Sequence, residues 1–264
     1  MKKFFKWFSC LALIGFLFIK RHTIMNRLFH TYYSDSIYVY DVTDDKEVLN
    51  IEANKKRSQA SLVKLMTVHL ALQQVDDLAA PIAVDGQAYQ RMVQADASMA
   101  GFIPEEVATY RDLLYGTMLP SGGECAESLA IDLYGNNENF VKAMNAEAKT
   151  LGLKRTHYQN VTGLDEKNQY STAKDTARLL NACLEDGDFA AIFMREDFMS
   201  VPTTVHPEGL YMTSTVLSKL YEYDYDREAF TILGGKEYII VTMGAPLDED
   251  EGQIVDTLKI LEEL

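Results

Sequence analysis

The most reactive arrangement in the sequence is a serine followed three residues later by a lysine, Ser61 and Lys64, at the start of an apolar stretch. On a helix this spacing places the hydroxyl and the ammonium on one face, one turn apart and within hydrogen-bonding reach. A serine hydroxyl is a weak nucleophile until a base removes its proton, and a lysine can be that base only if burial or a neighbouring cation lowers its pKa. The N-terminus of the helix adds unpaired N–H groups that stabilise developing negative charge. The pair indicates an activated nucleophile, although spacing alone also fits a surface serine in a first helical turn.

A second copy of the same spacing occurs at Ser171 and Lys174. There, Thr172 and Asp175 have the positions of a helix capping box, in which each side chain binds a free backbone N–H group. This copy is therefore interpreted as a helix start.

Composition excludes several other classes of function. The 264 residues carry 25 Lys and Arg against 39 Asp and Glu, a formal charge of −14 that repels nucleic acid phosphates. We therefore predict no nucleic acid partner. No metal or cofactor is predicted either, because the five histidines lack ligand spacing and no glycine-rich nucleotide motif is present. The cysteines are too few and too scattered for a disulfide framework: Cys10, Cys125 and Cys183.

The elements around Ser61 are predicted from periodicity and turn residues. Alternating β-branched and aromatic residues at Ser36 to Val42, a polar turn and a second run at Glu47 to Glu52 predict a β-hairpin. Residues Ser61 to Gln74 have helical spacing. Further helices are predicted over Asp112 to Leu119, Cys125 to Tyr134, Glu138 to Leu151, Thr172 to Leu184 and Ile254 to Leu264, with a buried strand at Tyr238 to Met243. Strands at both ends of a helical middle predict an α/β or α+β domain whose sheet joins the two ends.

The N-terminal residues 1–22 have the pattern of a targeting segment. Lysines precede an apolar run from Trp7 to Ile19, which basic residues close. The run is short for a membrane span, but no small-residue cleavage site follows it. We predict an uncleaved signal-anchor, with a cleaved signal peptide as the alternative, then a linker over 23–35 and one domain over 36–264.

Several segments, in one order over residues 36–246, resemble the serine-type D-Ala-D-Ala carboxypeptidases, the low-molecular-mass penicillin-binding proteins. Residues 54–72 (NKKRSQASLVKLMTVHLAL) are similar to the family's nucleophile segment, and residues 112–122 (DLLYGTMLPSG) to its second motif. Residues 151–180, 206–220, 230–236 (FTILGGK) and 241–246 (VTMGAP) are similar to later parts of the family.

The resemblance supplies roles and also shows two departures from the family pattern. The family signature is S-x-x-K, S-D-N and K-T-G. Ser121 matches the serine of the second motif and is expected to relay a proton, but Gly123 stands where the substrate-binding asparagine is usual. Glu124 or the backbone is a possible substitute for that asparagine, and a helix N-cap is the alternative role for Ser121. Lys236 begins the third motif and is expected to bind the substrate carboxylate. Glu237 follows it where threonine is usual, as if about two strands were missing, so Lys236 could also be a turn lysine.

The resemblance implies the serine transpeptidase and β-lactamase fold: an antiparallel sheet packed against helices, here missing two strands, with a mostly helical subdomain. It implies that Ser61 attacks the terminal D-Ala-D-Ala bond of peptidoglycan stem peptides outside the cytoplasm and that β-lactam antibiotics inhibit the protein. The alternatives are a catalytically impaired remnant that binds the cell wall without turnover, and a β-lactamase. Residues 160–175 look more like the carboxypeptidases than like a β-lactamase loop, which ranks the latter last.

Overall fold

The structure is a computed structural model that describes residues 32–217, 236–246 and 251–264, so the predicted targeting segment at 1–22 lies outside the described residues. The helices are α1 (Val63–Leu72), α2 (Gly86–Gln94), α3 (Tyr110–Met118), α4 (Gly123–Tyr134), α5 (Asn137–Thr150), α6 (Ala173–Cys183), α7 (Gly187–Phe193) and α8 (Gly252–Glu263). The strands are β1 (Ser36–Asp41), β2 (Lys46–Ile51), β3 (Pro81–Ala83), β4 (Val107–Thr109), β5 (Asp197–Met199), β6 (Tyr211–Thr213) and β7 (Tyr238–Met243).

The main sheet has the strand order β2-β1-β7, and all of its pairs are antiparallel. The predicted hairpin is confirmed as β1 and β2, and the predicted strand at Tyr238–Met243 is β7. Strand β1 is the central strand, between β2 and β7. Its residues are buried on both faces of the sheet, as a central strand covered on both sides requires. Within the described residues β7 is the last strand on its side, so the sheet is short of the full fold, as the sequence indicated.

The sheet separates two apolar layers. Ile37 and Val39 pack with Ile260 of α8 on one face, while Tyr38 belongs to the large core on the other. Helix α6 contacts β1 and β7 from that second side. This alternation follows from the two-residue period of a strand, which sends successive side chains to opposite faces.

Helix α1 lies at the centre of the large core. It contacts five other helices (α3, α4, α5, α6 and α7), and eight of its ten residues are buried. A helix that is apolar on nearly all sides is stable only when other elements surround it. The residues before α1 are therefore held at a rigid position where the helix reaches the surface.

The two ends of the described chain are joined by a buried carboxylate. Asp256 of α8, which is 1% exposed, accepts hydrogen bonds from the backbone N–H groups of Tyr33 (2.9 Å) and Ser34 (2.6 Å). The last residues of the predicted linker are thus attached to the domain. Among the described helices, none has the length and apolar character needed to cross a bilayer.

Candidate active site

Ser61 lies in a tight turn at the mouth of α1. The turn is a single 3₁₀ turn over Ala60–Leu62, and the preceding Ala60 has a positive φ of 44°. The predicted helix therefore has a distorted first turn. This turn leaves Ser61 exposed, whereas Lys64 one turn later points into the protein.

Lys64 is buried, with 5% of its surface exposed, and its Nζ donates a hydrogen bond of 2.5 Å to the carbonyl oxygen of Thr162. Burial lowers the pKa of Lys64 to about 8, and the negative charge of Glu124 opposes that change. A larger share of the amine is therefore neutral near pH 8 than for an exposed lysine. The structure gives Lys64 its hydrogen bond to Thr162 rather than to Ser61.

Ser121 is the third side chain of the site, beside Ser61 and Lys64. Its Oγ donates a hydrogen bond of 2.6 Å to Ser61 Oγ, across 60 residues of sequence. Ser121 has a positive φ of 63°, and the N-cap of α4 is Gly122, so the alternative role of Ser121 as an N-cap is wrong. The structure thus brings the two predicted hydroxyl groups together, with the buried amine one helical turn from the first.

The loop over 160–164 forms the wall behind Lys64. Gly163 has a φ of 89°, and a Cβ at this position would lie 1.9 Å from the carbonyl oxygen of Ala60. Only glycine permits so close an approach of two backbones, and the approach places Thr162 against Lys64. No motif in the sequence singles out Thr162 and Gly163, although both lie in residues 151–180, which carry the family resemblance.

A polar network holds this loop. Asn160 Oδ1 accepts from the N–H groups of Thr162 (3.2 Å) and Gly163 (2.8 Å), and its Nδ2 donates to the carbonyl of Leu164 (2.8 Å). Gln169 accepts from Asn160 N and donates to the same Leu164 carbonyl. Because these bonds end on the backbone of the loop, the two amides fix the position of the carbonyl that binds Lys64.

The second motif has a glycine where a side chain would not fit. A Cβ on Gly123 would lie 2.5 Å from Met92 Sδ, and Met92 is 2% exposed. Met92 therefore occupies the space that a side chain at position 123 would need. Gly123 N donates to Ser98 O at 2.8 Å, which attaches the start of α4 to the opposite wall.

Glu124 does not replace the missing asparagine. It is fully buried, and its Oε1 accepts from the backbone N–H groups of Ala100 (2.7 Å) and Gly101 (2.9 Å). The carboxylate is directed at the protein backbone, so Glu124 as a substitute for the asparagine is wrong. The backbone as a substitute stays a prediction.

These residues enclose a cleft of about 200 Å³. Three predicted site residues line it (Ser61, Lys64 and Gly123), and Ser121 is bonded to the first of them; the other lining residues are Ala60, Asp96, Ala97, Ser98, Thr162, Gly163 and Leu164. A hydroxyl at a helix mouth, a second hydroxyl bonded to it and a buried amine are the groups required for acyl transfer to serine. The described residues contain no cluster of His, Cys, Asp and Glu that could hold a metal ion.

Lys236 is placed away from this group. Its Nζ pairs with the carboxylates of Asp41 (3.3 Å) and Asp44 at the β1–β2 turn, and it is not among the residues that line the cleft. The hydrogen bond to Asp44 is the main cause that raises the pKa of Lys236. The structure therefore does not bring Lys236 to the substrate side of Ser61, where the sequence placed it, and instead agrees with the turn lysine that was the alternative.

Comparison with known proteins gives a consistent result. The sequence profile of the D-alanyl-D-alanine carboxypeptidase family matches residues 25–205. A D-alanyl-D-alanine carboxypeptidase of Bacillus subtilis (strain 168) is 31% identical over 140 residues, which are 53% of this chain and 36% of the relative. One from Streptomyces sp. (strain K15) is 31% identical over 161 residues, 58% of this chain and 55% of the relative. The matched part thus spans about a third to a half of these relatives.

The solved structures agree on the fold. The Streptomyces K15 DD-transpeptidase superposes with a TM-score of 0.73 at 23% identity, covering 88% of this chain and 97% of that one. Penicillin-binding protein 5 from Haemophilus influenzae superposes with a TM-score of 0.74 at 22% identity, covering 88% of this chain and 71% of that one. The expected fold, an antiparallel sheet packed against helices, is therefore confirmed.

Proposed function

The chain belongs to the D-alanyl-D-alanine carboxypeptidase family, and from this premise we propose that it removes the terminal D-alanine from peptidoglycan stem peptides through an acyl-enzyme on Ser61. The observation that carries the proposal is the 2.6 Å hydrogen bond between Ser121 Oγ and Ser61 Oγ, beside a buried lysine amine. An activated serine needs a base and a proton relay close to its hydroxyl, and Lys64 and Ser121 are suited to these two roles.

In the first half of the proposed reaction, Ser61 Oγ attacks the carbonyl carbon of the penultimate D-alanine. Neutral Lys64 takes the Ser61 proton on its lone pair while one of its N–H groups stays on the Thr162 carbonyl. The backbone N–H of Ser61 supplies half of an oxyanion hole. Ser121 relays the proton from Lys64 to the departing amine, which returns Lys64 to its neutral form. The C–N bond then breaks, and D-alanine leaves with that proton.

In the second half, water attacks the ester carbonyl of the acyl-enzyme. The Ser61–acyl bond breaks, Ser61 regains a proton and the shortened peptide leaves as a carboxylic acid. A β-lactam would enter the same first half, because its strained amide presents the same carbonyl to Ser61. It would therefore act as an inhibitor by forming an ester on Ser61.

Two observations favour a second candidate, a catalytically impaired protein that binds cell-wall peptide without turnover. Lys236 is paired with Asp41 and Asp44, and Met92 occupies the space beside Gly123. Within the described residues, the cleft therefore lacks both the asparagine amide of the second motif and the Lys236 amine of the third, the two groups expected to bind substrate. In this case Ser61 would still accept a reactive acyl donor slowly, or not at all.

Fluorescent penicillin labelling of the full chain tests the proposal. We expect label on the wild type that disappears in Ser61→Ala and falls strongly in Lys64→Ala. Lys174→Ala, from the second serine–lysine pair, is the matched control and should label as the wild type does. Absence of label on the wild type would reject the enzymatic proposal and favour the impaired protein. Release of D-alanine from a D-Ala-D-Ala peptide then separates turnover from acylation alone.

We also propose that the chain is attached to the cell membrane by its N-terminal segment, with the domain on the extracytoplasmic face. The support is the apolar run from Trp7 to Ile19 with basic flanks, together with a substrate that lies outside the cytoplasm. Protease added to intact spheroplasts should degrade the domain. Protection until the cells are lysed would contradict this location.

A further inference from the structure

Glu124 presents a buried carboxylate with unequal surroundings at its two oxygens. The residue is fully buried in the first turn of α4, and Oε1 accepts the N–H groups of Ala100 and Gly101. Oε2 is also buried, yet it has no hydrogen-bond partner among the described residues. Buried polar atoms are nearly always paired, so an unpaired one at the edge of a reactive site calls for a physical reason.

The first of these oxygens stabilises a wall of the cleft. The segment that Oε1 binds follows Asp96, Ala97 and Ser98, which line the cleft together with Lys64. Gly123, the residue before Glu124, binds Ser98 O with its own N–H. The start of α4 therefore attaches this wall at three points, two of which depend on the Glu124 carboxylate.

The second feature is the electrostatic relation of Glu124 to Lys64. Glu124 is the main charge that raises the pKa of Lys64 against the effect of burial, and burial raises the pKa of Glu124 itself. Cys125, the other titratable group that acts on Lys64, is fully buried, which raises its thiol pKa well above the usual value and leaves it uncharged at neutral pH. Asp96 lies on the exposed rim.

We propose that Glu124 is a positioning residue for acylation: its carboxylate holds the 96–101 wall through Oε1 and stabilises the positive charge that forms on Lys64 when that amine takes the Ser61 proton. Because Glu124 is fully buried, water screens its charge little, which strengthens its effect on Lys64. The proton moves from Ser61 Oγ to Lys64 Nζ, and Glu124 stays ionised throughout. The role of Glu124 in the acylation of Ser61 rests on the function proposed above.

The main test is the titration of Lys64 itself, measured by NMR with lysine labelled at the ε carbon in the full chain. Glu124→Gln retains an oxygen that can accept from Ala100 and Gly101 but removes the charge. We expect the titration midpoint of Lys64 to fall by about one pH unit, and the acylation rate at high pH to fall ~3- to 10-fold because the base is weaker. Glu124→Asp, which retains the charge, should restore most of the midpoint.

The matched control is Glu127→Gln. Glu127 lies one turn further along α4, is 7% exposed and pairs with Arg91 at 2.6 Å. Its replacement removes a second carboxylate of the same helix, one that is not among the groups that shift the pKa of Lys64. The titration midpoint of Lys64 in Glu127→Gln should equal that of the wild type. An unchanged midpoint in Glu124→Gln, or an equal shift in Glu127→Gln, would overturn the proposal.

A measurement on the wild type makes the test independent of whether the variants fold. The carboxyl carbon of Glu124 should report an ionised group over the pH range in which Lys64 titrates. A carboxyl that stays protonated through that range would carry no charge, and the proposal would fail. Because neither titration requires acylation, a wild type that does not label with penicillin would reject the proposed function and leave the electrostatic role of Glu124 to be judged by the titrations.

Discussion

Replacing Gly163 with alanine should destabilise the domain and disrupt the site through one contact. The left-handed backbone at φ 89° costs an alanine roughly 1 kcal/mol. The added Cβ would lie 1.9 Å from the Ala60 carbonyl oxygen, a backbone atom that cannot rotate away, and relieving such overlap costs about 2 kcal/mol more. We therefore expect the free energy of unfolding to fall by about 3 kcal/mol, a decrease in Tm of roughly 6–12 °C for a chain of this size.

Two other glycines separate the two contributions. Gly135 also has a positive φ, 79°, but a Cβ there would have no heavy atom within 4 Å, so Gly135→Ala measures the backbone cost alone, about 1 kcal/mol. Gly187→Ala has neither cost and should change stability by less than about 0.5 kcal/mol. Chemical denaturation monitored by circular dichroism gives all three values.

The same variant should lose acylation by more than its stability explains. Relief of the overlap must move either Ala60, next to the nucleophile, or the loop whose Thr162 carbonyl binds Lys64. We expect penicillin labelling of folded Gly163→Ala to be at least ~10²-fold slower, since small displacements of reacting groups have effects of this size. Equal stability of Gly163→Ala and Gly135→Ala, with unchanged labelling, would refute the reasoning.

Three further predictions concern the same cleft. Ser121→Ala should slow acylation by about 10²-fold without a comparable loss of stability, because it removes the hydroxyl that relays the proton to the leaving group; equal rates would contradict the relay. Gly123→Asn should destabilise the protein through overlap with Met92, and combining it with Met92→Ala should give less destabilisation than the sum of the two single changes, by ~1 kcal/mol in a double-mutant cycle; additivity would contradict the contact. The acylation rate should rise with pH through about 8 and then level off, because only the neutral form of Lys64 accepts a proton; a rate independent of pH between 6 and 9 would contradict its role as base.

The sequence predicted the elements with strong periodicity. The hairpin, β7, α1 and the four helices between residues 110 and 183 all lie within a few residues of their expected positions. Thr172 accepts a hydrogen bond from Asp175 N at the start of α6, which confirms that the second serine–lysine pair marks a helix start. The reciprocal half of the predicted capping box is wrong, because Asp175 Oδ2 accepts from Arg155 N and Thr156 Oγ1. These elements bury a regular apolar face or carry a side-chain cap, and both features are local in sequence.

Other parts of the structure depend on contacts between distant segments. The 3₁₀ turn at Ser61 lies against Gly163, about 100 residues later, and the helix-forming residues around Ser61 give no sign of this contact. The short pairs β3–β4 and β5–β6 have only three residues each, too few for a periodic signal. The binding of Lys236 by Asp41 and Asp44 likewise joins a turn and a strand that are far apart in the chain. Contacts between distant segments leave no pattern in the local sequence. The ion pairs of Lys236 could therefore not be predicted from its neighbours, and the family resemblance alone gave it a role in binding substrate.

The pairing of β1 with β7 has a consequence for how the protein is made. The ribosome releases Ser36–Asp41 early, but the strand that completes its hydrogen bonds, Tyr238–Met243, emerges about 200 residues later. During that interval β1 can pair only with β2, and the apolar side chains of the hairpin have no α8 to cover them. Such an intermediate offers an unpaired strand to other nascent chains, so the yield of native protein should be sensitive to the speed of synthesis and to the presence of chaperones.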